Sequence, residues 1–185
     1  MTLSLSKTGE NKTIIFFTGK QRSGKDTAAD ILVEHYGFQK IALADKVKEV
    51  ARDLFGMQEK DRGLLIEIGT KMREISPSVW LVQVLNHIDL TPAGSRIVIP
   101  DVRFENEWFI LRDIGAIPVK IFSFVNERKK RPGYDSDYEN DPTEGRLLEF
   151  PHYHVISNNS SKQDFFFKVC WLAETILGKE GRRYD

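Results

Sequence analysis

Cysteine occurs once in the 185 residues, at Cys170. A single thiol excludes an internal disulfide and any zinc cluster built mainly from cysteine, and it fits a reducing cytoplasm. Val169, Trp171 and Leu172 surround it on a helical pattern, so Cys170 is expected to be a buried structural thiol. Long apolar runs are lacking too, and no stretch approaches the length of a membrane span. Met1 to Lys12 is polar, without the apolar core of a signal peptide. Neither sign of charge is in excess: 27 basic and 27 acidic residues leave a formal net charge of +0. No global field therefore recruits nucleic acid or an anionic membrane. Internal repeats and low-complexity segments are also lacking. The length suits one α/β domain over residues 1–185 and is too short for two large ones.

What is present is concentrated first in Thr13 to Thr27, TIIFFTGKQRSGKDT. A β-branched and aromatic run stops at Gly19, and four residues lead to Gly24-Lys25 before a helical pattern begins. This is the G-x-x-x-x-G-K arrangement in its strand–loop–helix setting, which binds a nucleoside triphosphate. Gly19 and Gly24 let the backbone turn and approach an anion, while Gln21, Arg22 and Ser23 present successive N–H groups. Lys25 reaches the outer phosphates, and the following helix adds the positive end of its dipole. The residue after the lysine is normally Ser or Thr, whose hydroxyl ligates Mg²⁺. Here it is Asp26, with Thr27 one place later. Either Asp26 faces Mg²⁺, since a carboxylate beside polyphosphate needs an intervening cation, or it serves the helix N-terminus.

Helical periodicity predicts helices over Thr27 to Tyr36, from Asp45 to Gly56, from Gln58 to Ile75, from Ser76-Pro77 through Ile88, over Phe104 to Ile114 and over Lys162 to Leu177. Asp45 is read as the cap of the second, and Ser76-Pro77 as the cap and first-turn proline of the fourth. Strands are expected at Phe38 to Ala44, Arg96 to Asp101, Ala116 to Phe124 and His154 to Ser157. Val125 to Phe150 is polar and broken by Pro132 and Pro142, an expected mobile excursion, and the tail from Gly178 is expected to fray. Alternating strands and helices imply a parallel sheet covered on both faces, with ligands at the carboxyl ends of the strands.

The polar residues of interest fall at those ends. Ile97-Val98-Ile99-Pro100-Asp101 is a Walker B-like strand placing Asp101 to hold Mg²⁺ through water, or else to cap the next helix. Arg103 is suited to bind a phosphate bidentately. Lys48, in a helix first turn where cations are disfavoured, is a candidate for an acceptor phosphate beside Asp45. Arg73 is a candidate phosphate partner. Trp80 is either a base platform or core. Arg128 and Arg131, in a run of four basic residues, are candidate lid contacts. Asn158, in the Ser157 to Ser160 turn, is a candidate base-edge contact. His152 and His154 are read as structural, because no third metal ligand accompanies them.

These stretches together resemble the phage-type deoxynucleoside monophosphate kinases of the P-loop group. The resemblance rests on SGKDT, on ALADKVKEVARDLFG at Ala42 to Gly56, on IGTKMRE with Trp80, on DVRFENE at Asp101 to Glu107 and on VISNNSS. Phosphomevalonate kinases are similar around Lys20 to Asp26. The resemblance implies a three-layer P-loop fold with a five-stranded parallel sheet ordered 2-3-1-4-5. It implies an acceptor-binding insertion at about 45–90, a lid at about 125–150, ATP with Mg²⁺, and small nucleotides as partners. It puts Lys25 on the donor phosphates, Lys48, Arg73 and Arg103 around the acceptor, and Arg128 and Arg131 in the lid. The chain departs from the family at Asp141 to Glu144 and at Asn159. A homodimer is left open, as are phosphomevalonate or dephospho-coenzyme A as acceptors. A nucleotide-dependent switch is disfavoured for want of an Asn-Lys-x-Asp element.

Overall fold

The computed structural model describes residues 12–139 and 141–178. Expectations for the first eleven residues and for the tail after Gly178 fall outside that range. In chain order the elements are β1 (Thr13–Thr18), α1 (Lys25–Tyr36), β2 (Gln39–Lys40), α2 (Leu43–Phe55), α3 (Arg62–Ile75) and α4 (Val79–Leu90). There follow β3 (Arg96–Ile99), α5 (Glu105–Asp113), β4 (Ile117–Phe122), α6 (Val125–Lys129), a 3-10 turn at Ser136–Tyr138, α7 (Pro142–Gly145), β5 (His154–Ser157) and α8 (Lys162–Ile176). The sheet is five-stranded and parallel in the order β2-β3-β1-β4-β5. The expected topology and order hold.

The registers explain the apolar runs. β1 lies in the middle, Ile14 beside Ile97 of β3 and Phe17 beside Val119 of β4. A strand covered on both faces gains by being apolar at every position, which is what IIFF supplies. Ile14, Phe16, Ile97 and Ile99 pack to one face against side chains of α2, α4 and α5. Ile15, Phe17, Val98, Val119 and Ile121 pack to the other, against α1 and α8, where Cys170 is buried as expected. Among the described residues, no helix is long and apolar enough to cross a membrane.

Two boundaries differ from expectation for one reason. The second strand is only Gln39–Lys40, not Phe38 to Ala44, because α2 already begins at Leu43. Asp101, at the end of β3, takes the N–H of Leu43 (2.9 Å) and of Ala44 (2.8 Å) on its two carboxylate oxygens. Those donors are orphans of a helix first turn. Asp45 is therefore inside the first turn and is not the cap. Its carboxylate instead accepts from Lys48 Nζ at 2.8 Å. Likewise Ser76 ends α3 and Ser78 precedes α4, so the Ser76-Pro77 pair is the link between the two helices.

Candidate active site

The loop from Gly19 to Lys25 joins the end of β1 to α1. Gly19 (φ +138°) and Gly24 (φ +111°) hold conformations that L side chains rarely adopt. A Cβ on Gly19 would collide with the Ile121 carbonyl of β4, and one on Gly24 with the Asn158 amide after β5. Gly24 precedes α1 and provides no side-chain cap, so the first-turn N–H groups are not taken by one. Lys25 is buried and folds back onto the Gly19 carbonyl (2.6 Å) and the Lys20 carbonyl (3.0 Å). Ser23 Oγ is buried with no hydrogen-bond partner. An uncapped helix N-terminus, an interior ammonium and an orphaned hydroxyl around one turn form an anion cradle.

Asp26 is not a cap either. It is 81% exposed and pairs with Lys40 of β2 at 3.0 Å, a lysine it shares with Asp30. Thr27 is exposed. Asp101 is buried. Burial pushes its carboxyl above the ordinary range, and the Ala44 and Leu43 N–H bonds hold it back. It caps α2, which corrects its reading as the cap of the helix that follows it, and each of its oxygens accepts one of those N–H groups. Asp26 and Asp101 thus each have partners of their own. No group of three or more acidic, histidine or cysteine side chains able to hold a metal occurs among the described residues. The loop fits a triphosphate. Any Mg²⁺ would be held mainly by phosphate oxygens and water, as that ion often is.

Across the sheet edge, after β3, the sequence DVRFENE builds a second cationic site. Glu107 in the first turn of α5 is 2% exposed. One oxygen accepts from the backbone N–H of Arg103 (3.0 Å) and of Phe104 (3.1 Å), the other from Arg73 Nη2 (3.3 Å). Burial pushes this carboxyl up, while the Arg103 N–H and the Arg73 guanidinium pull it down. Arg73 also bonds the Gly69 carbonyl (3.1 Å) and lies 4.2 Å over the Phe104 ring, yet its buried Nε has no partner. Glu107 escaped the sequence reading, although its place in the helix first turn, three residues after Phe104, is the spacing at which a glutamate reaches back to the N-cap N–H. Glu107→Gln keeps the shape and removes the charge that orients Arg73. It is expected to raise the KM of a phosphate-bearing acceptor by about tenfold and leave the KM for ATP unchanged, as initial rates with each substrate varied would show.

Trp80 is no platform. It is 2% exposed and donates its indole N–H to the Gly69 carbonyl (3.2 Å), so it supports α3 from within the core. An indole with its donor satisfied inside a packed cluster cannot stack on an incoming base. Lys48 is half-exposed and its ion pair with Asp45 offsets its unfavourable position on the helix dipole, so no bound anion is needed to explain it.

The segment after β4 sits directly on the loop. Gln21 Nε2 donates to the Asp135 carbonyl (2.5 Å) and Gly133 lies against the Arg22 guanidinium. Arg131 bonds the carbonyls of Arg22 and Asn158 (2.5 and 2.6 Å). Arg128 is 3% exposed. Its guanidinium bonds the carbonyls of Ser123 (3.1 Å) and Gln21 (3.3 Å) and clamps both oxygens of Glu139 (2.7 and 2.6 Å). Neither arginine is a free surface contact in this state. Asn158 is a buttress: its amide donates to the Ser23 carbonyl (2.8 Å) and its own carbonyl accepts from Ser123 and Arg131, so that backbone group is not open to a base.

Glu139 is the hub of this cover, and nothing in the sequence singled it out. Besides Arg128 it holds Lys20 Nζ (3.0 Å) and Tyr134 OH (3.0 Å). The Arg128 bond above all lowers its pKa from 4.5 to about 2. A depressed carboxyl contributes fully above its unfolded value of 4.5 and loses that contribution as pH falls through about 2. Glu139→Gln is therefore expected to loosen the cover at neutral pH, with faster amide hydrogen exchange over residues 131–139. The wild type should lose the same protection only on acidification below about 4.5.

Residues 13–73 match the family model for deoxynucleotide monophosphate kinase. The resemblance read from the sequence holds. A protein of Acanthamoeba polyphaga mimivirus, to which that activity is provisionally assigned, is 27% identical over 189 residues, covering 84% of this chain and 93% of its own. The ORF76 protein of Ictalurid herpesvirus 1 (strain Auburn) is 28% identical over 173 residues, covering 89% and 67%. Among solved structures, dephospho-CoA kinase from Campylobacter jejuni has a TM-score of 0.58 at 17% identity, covering 91% of this chain and 100% of its own. Shikimate kinase from Acinetobacter baumannii also scores 0.58, at 16% identity, covering 95% and 99%. These two show the fold: that of the P-loop kinases.

Proposed function

We propose that the protein is a deoxynucleoside monophosphate kinase, moving the γ-phosphoryl group of ATP onto the phosphate of a nucleotide to give the diphosphate. The observation that supports this is that the loops after the neighbouring strands β1 and β3 each bring cationic residues to the carboxyl ends of the sheet, Lys25 on one and Arg103, beside Arg73, on the other. The cradle around Lys25 takes the donor. The Arg73 and Arg103 site built by Glu107 takes the acceptor phosphate, with Lys48 on the adjoining helix. Such a reaction needs no covalent nucleophile, since alignment and neutralisation of charge suffice. Mg²⁺ bound on the triphosphate would supply further neutralisation of the phosphate oxygens.

The whole chain is then one catalytic domain, with the 45–90 region as acceptor insertion and the 125–150 region as lid. Arg128 and Arg131 would act on the transferring group after exchanging their present partners for phosphate oxygens. The lone cysteine suits a reducing cytoplasm, and no nucleic acid or membrane is required. Purified protein incubated with ATP, Mg²⁺ and a panel of acceptors tests the assignment by product analysis. The panel comprises each deoxynucleoside monophosphate, phosphomevalonate and dephospho-coenzyme A. A diphosphate formed only from nucleotides supports it. Product from either other acceptor alone would reassign the acceptor site.

A further inference from the structure

A cavity of about 330 Å³ opens at the carboxyl end of β4, between the P-loop and the 148–149 stretch. It is lined by Lys20, Lys120, Phe122, Phe124, Arg128 and Glu149, among others. Its size is at the lower end of the ligand range of about 300–1,000 Å³. Lys20 of the loop and Arg128 of the segment over it line the cavity, whereas Lys25, Lys48, Arg73, Arg103 and Asn158 do not, so it adjoins the donor cradle without containing the Lys25 site.

Three cations converge here. Arg128 and Lys20 share Glu139. Lys120 is different: it makes no ion pair among the described residues, and its ammonium donates at 2.8 Å to the neutral carbonyl of Leu148. Its charge is felt next door, where burial first, and then Lys120, lower the pKa of His152. Glu149 also lines the cavity but makes no ion pair with Lys120, so this half-buried ammonium, resting on a neutral carbonyl, gains when an anion arrives beside it. On the same wall Phe122 and Phe124 meet edge to face with ring centroids 5.0 Å apart, and Phe124 is exposed. Cations beside an open aromatic surface suit a ligand that carries both phosphate and a planar base.

We infer that this cavity is a second nucleotide site, taking the phosphates of a nucleoside triphosphate on Lys120, Lys20 and Arg128 and its base against Phe122 and Phe124. Two of its cations also hold Glu139, so its occupant competes with the clamp that keeps residues 131–139 on the P-loop. Occupancy is thereby coupled to the cover of the donor site.

The test is binding of a fluorescent deoxynucleoside triphosphate to the full chain and two variants. The wild type is expected to bind in two phases. Lys25→Met should remove the P-loop phase and keep the other. Lys120→Gln can still donate to the Leu148 carbonyl; it should weaken the second phase at least about tenfold and leave the P-loop phase and basal turnover unchanged. That retained phase also reports that the variant is folded. Inorganic tripolyphosphate should displace the second phase less well than the nucleotide. A single phase abolished by Lys25→Met, or a second phase indifferent to Lys120→Gln, would overturn the site. Equal displacement by tripolyphosphate would remove the aromatic contact and with it the nucleotide.

Discussion

Lys25→Met is expected to lower kcat by at least about 10²-fold while the fold is kept. Lys25 is the ammonium at the start of α1 whose Nζ rests on the Gly19 and Lys20 carbonyls. Those are neutral acceptors, so an arriving triphosphate offers it a stronger partner within the same turn. The charge it then neutralises grows on the transferring oxygens, so the loss falls on turnover more than on binding. Methionine preserves most of the buried volume of the lysine stem. Circular dichroism and a thermal melt should resemble the wild type, and single-turnover rates should not. Near-normal turnover in a folded variant would remove the donor assignment.

Arg103→Ala should raise the KM of the acceptor about ten- to hundredfold, the loss of one charge-assisted contact of about 1.5–3 kcal/mol. The KM for ATP should stay within a fewfold. The reason is location: Arg103 follows β3, its backbone is fixed by Glu107, and its charge also acts on Asp101 and Asp141. Lys25 sits beyond β1. The substitution removes only the side chain, so the Glu107 bond to the Arg103 N–H survives and the loop keeps its course. Kinetics with each substrate varied decide it. A variant that weakened ATP and spared the acceptor would move Arg103 to the donor side.

Local patterns carried much of the architecture. The run TIIFFT followed by Gly19, Gly24 and Lys25 places the central strand and its loop, because an all-buried strand and a left-handed glycine turn each leave a residue-level mark. What stayed hidden depends on contacts distant in sequence. Asp101 reads as a metal ligand or as the cap of its own following helix; only folding reveals that it reaches back to Leu43 and Ala44, over fifty residues upstream. Trp80 reads equally as platform or core until α3 is laid over it. Glu139 lies in a stretch where acidic residues are common, and nothing distinguishes it before Arg128 and Lys20 converge on it. Lys120 is hidden for the opposite reason, since one polar residue in a strand reads as an ordinary departure from alternation.

The assignment is tested most directly by following the γ-phosphorus. Protein is mixed with Mg²⁺, ATP labelled in its γ-phosphate and an unlabelled deoxynucleoside monophosphate, and the products are separated. The account predicts label in the β-phosphate of the deoxynucleoside diphosphate, formed only when acceptor is present and lost in Lys25→Met. Label released as inorganic phosphate at the same rate with or without acceptor would contradict it.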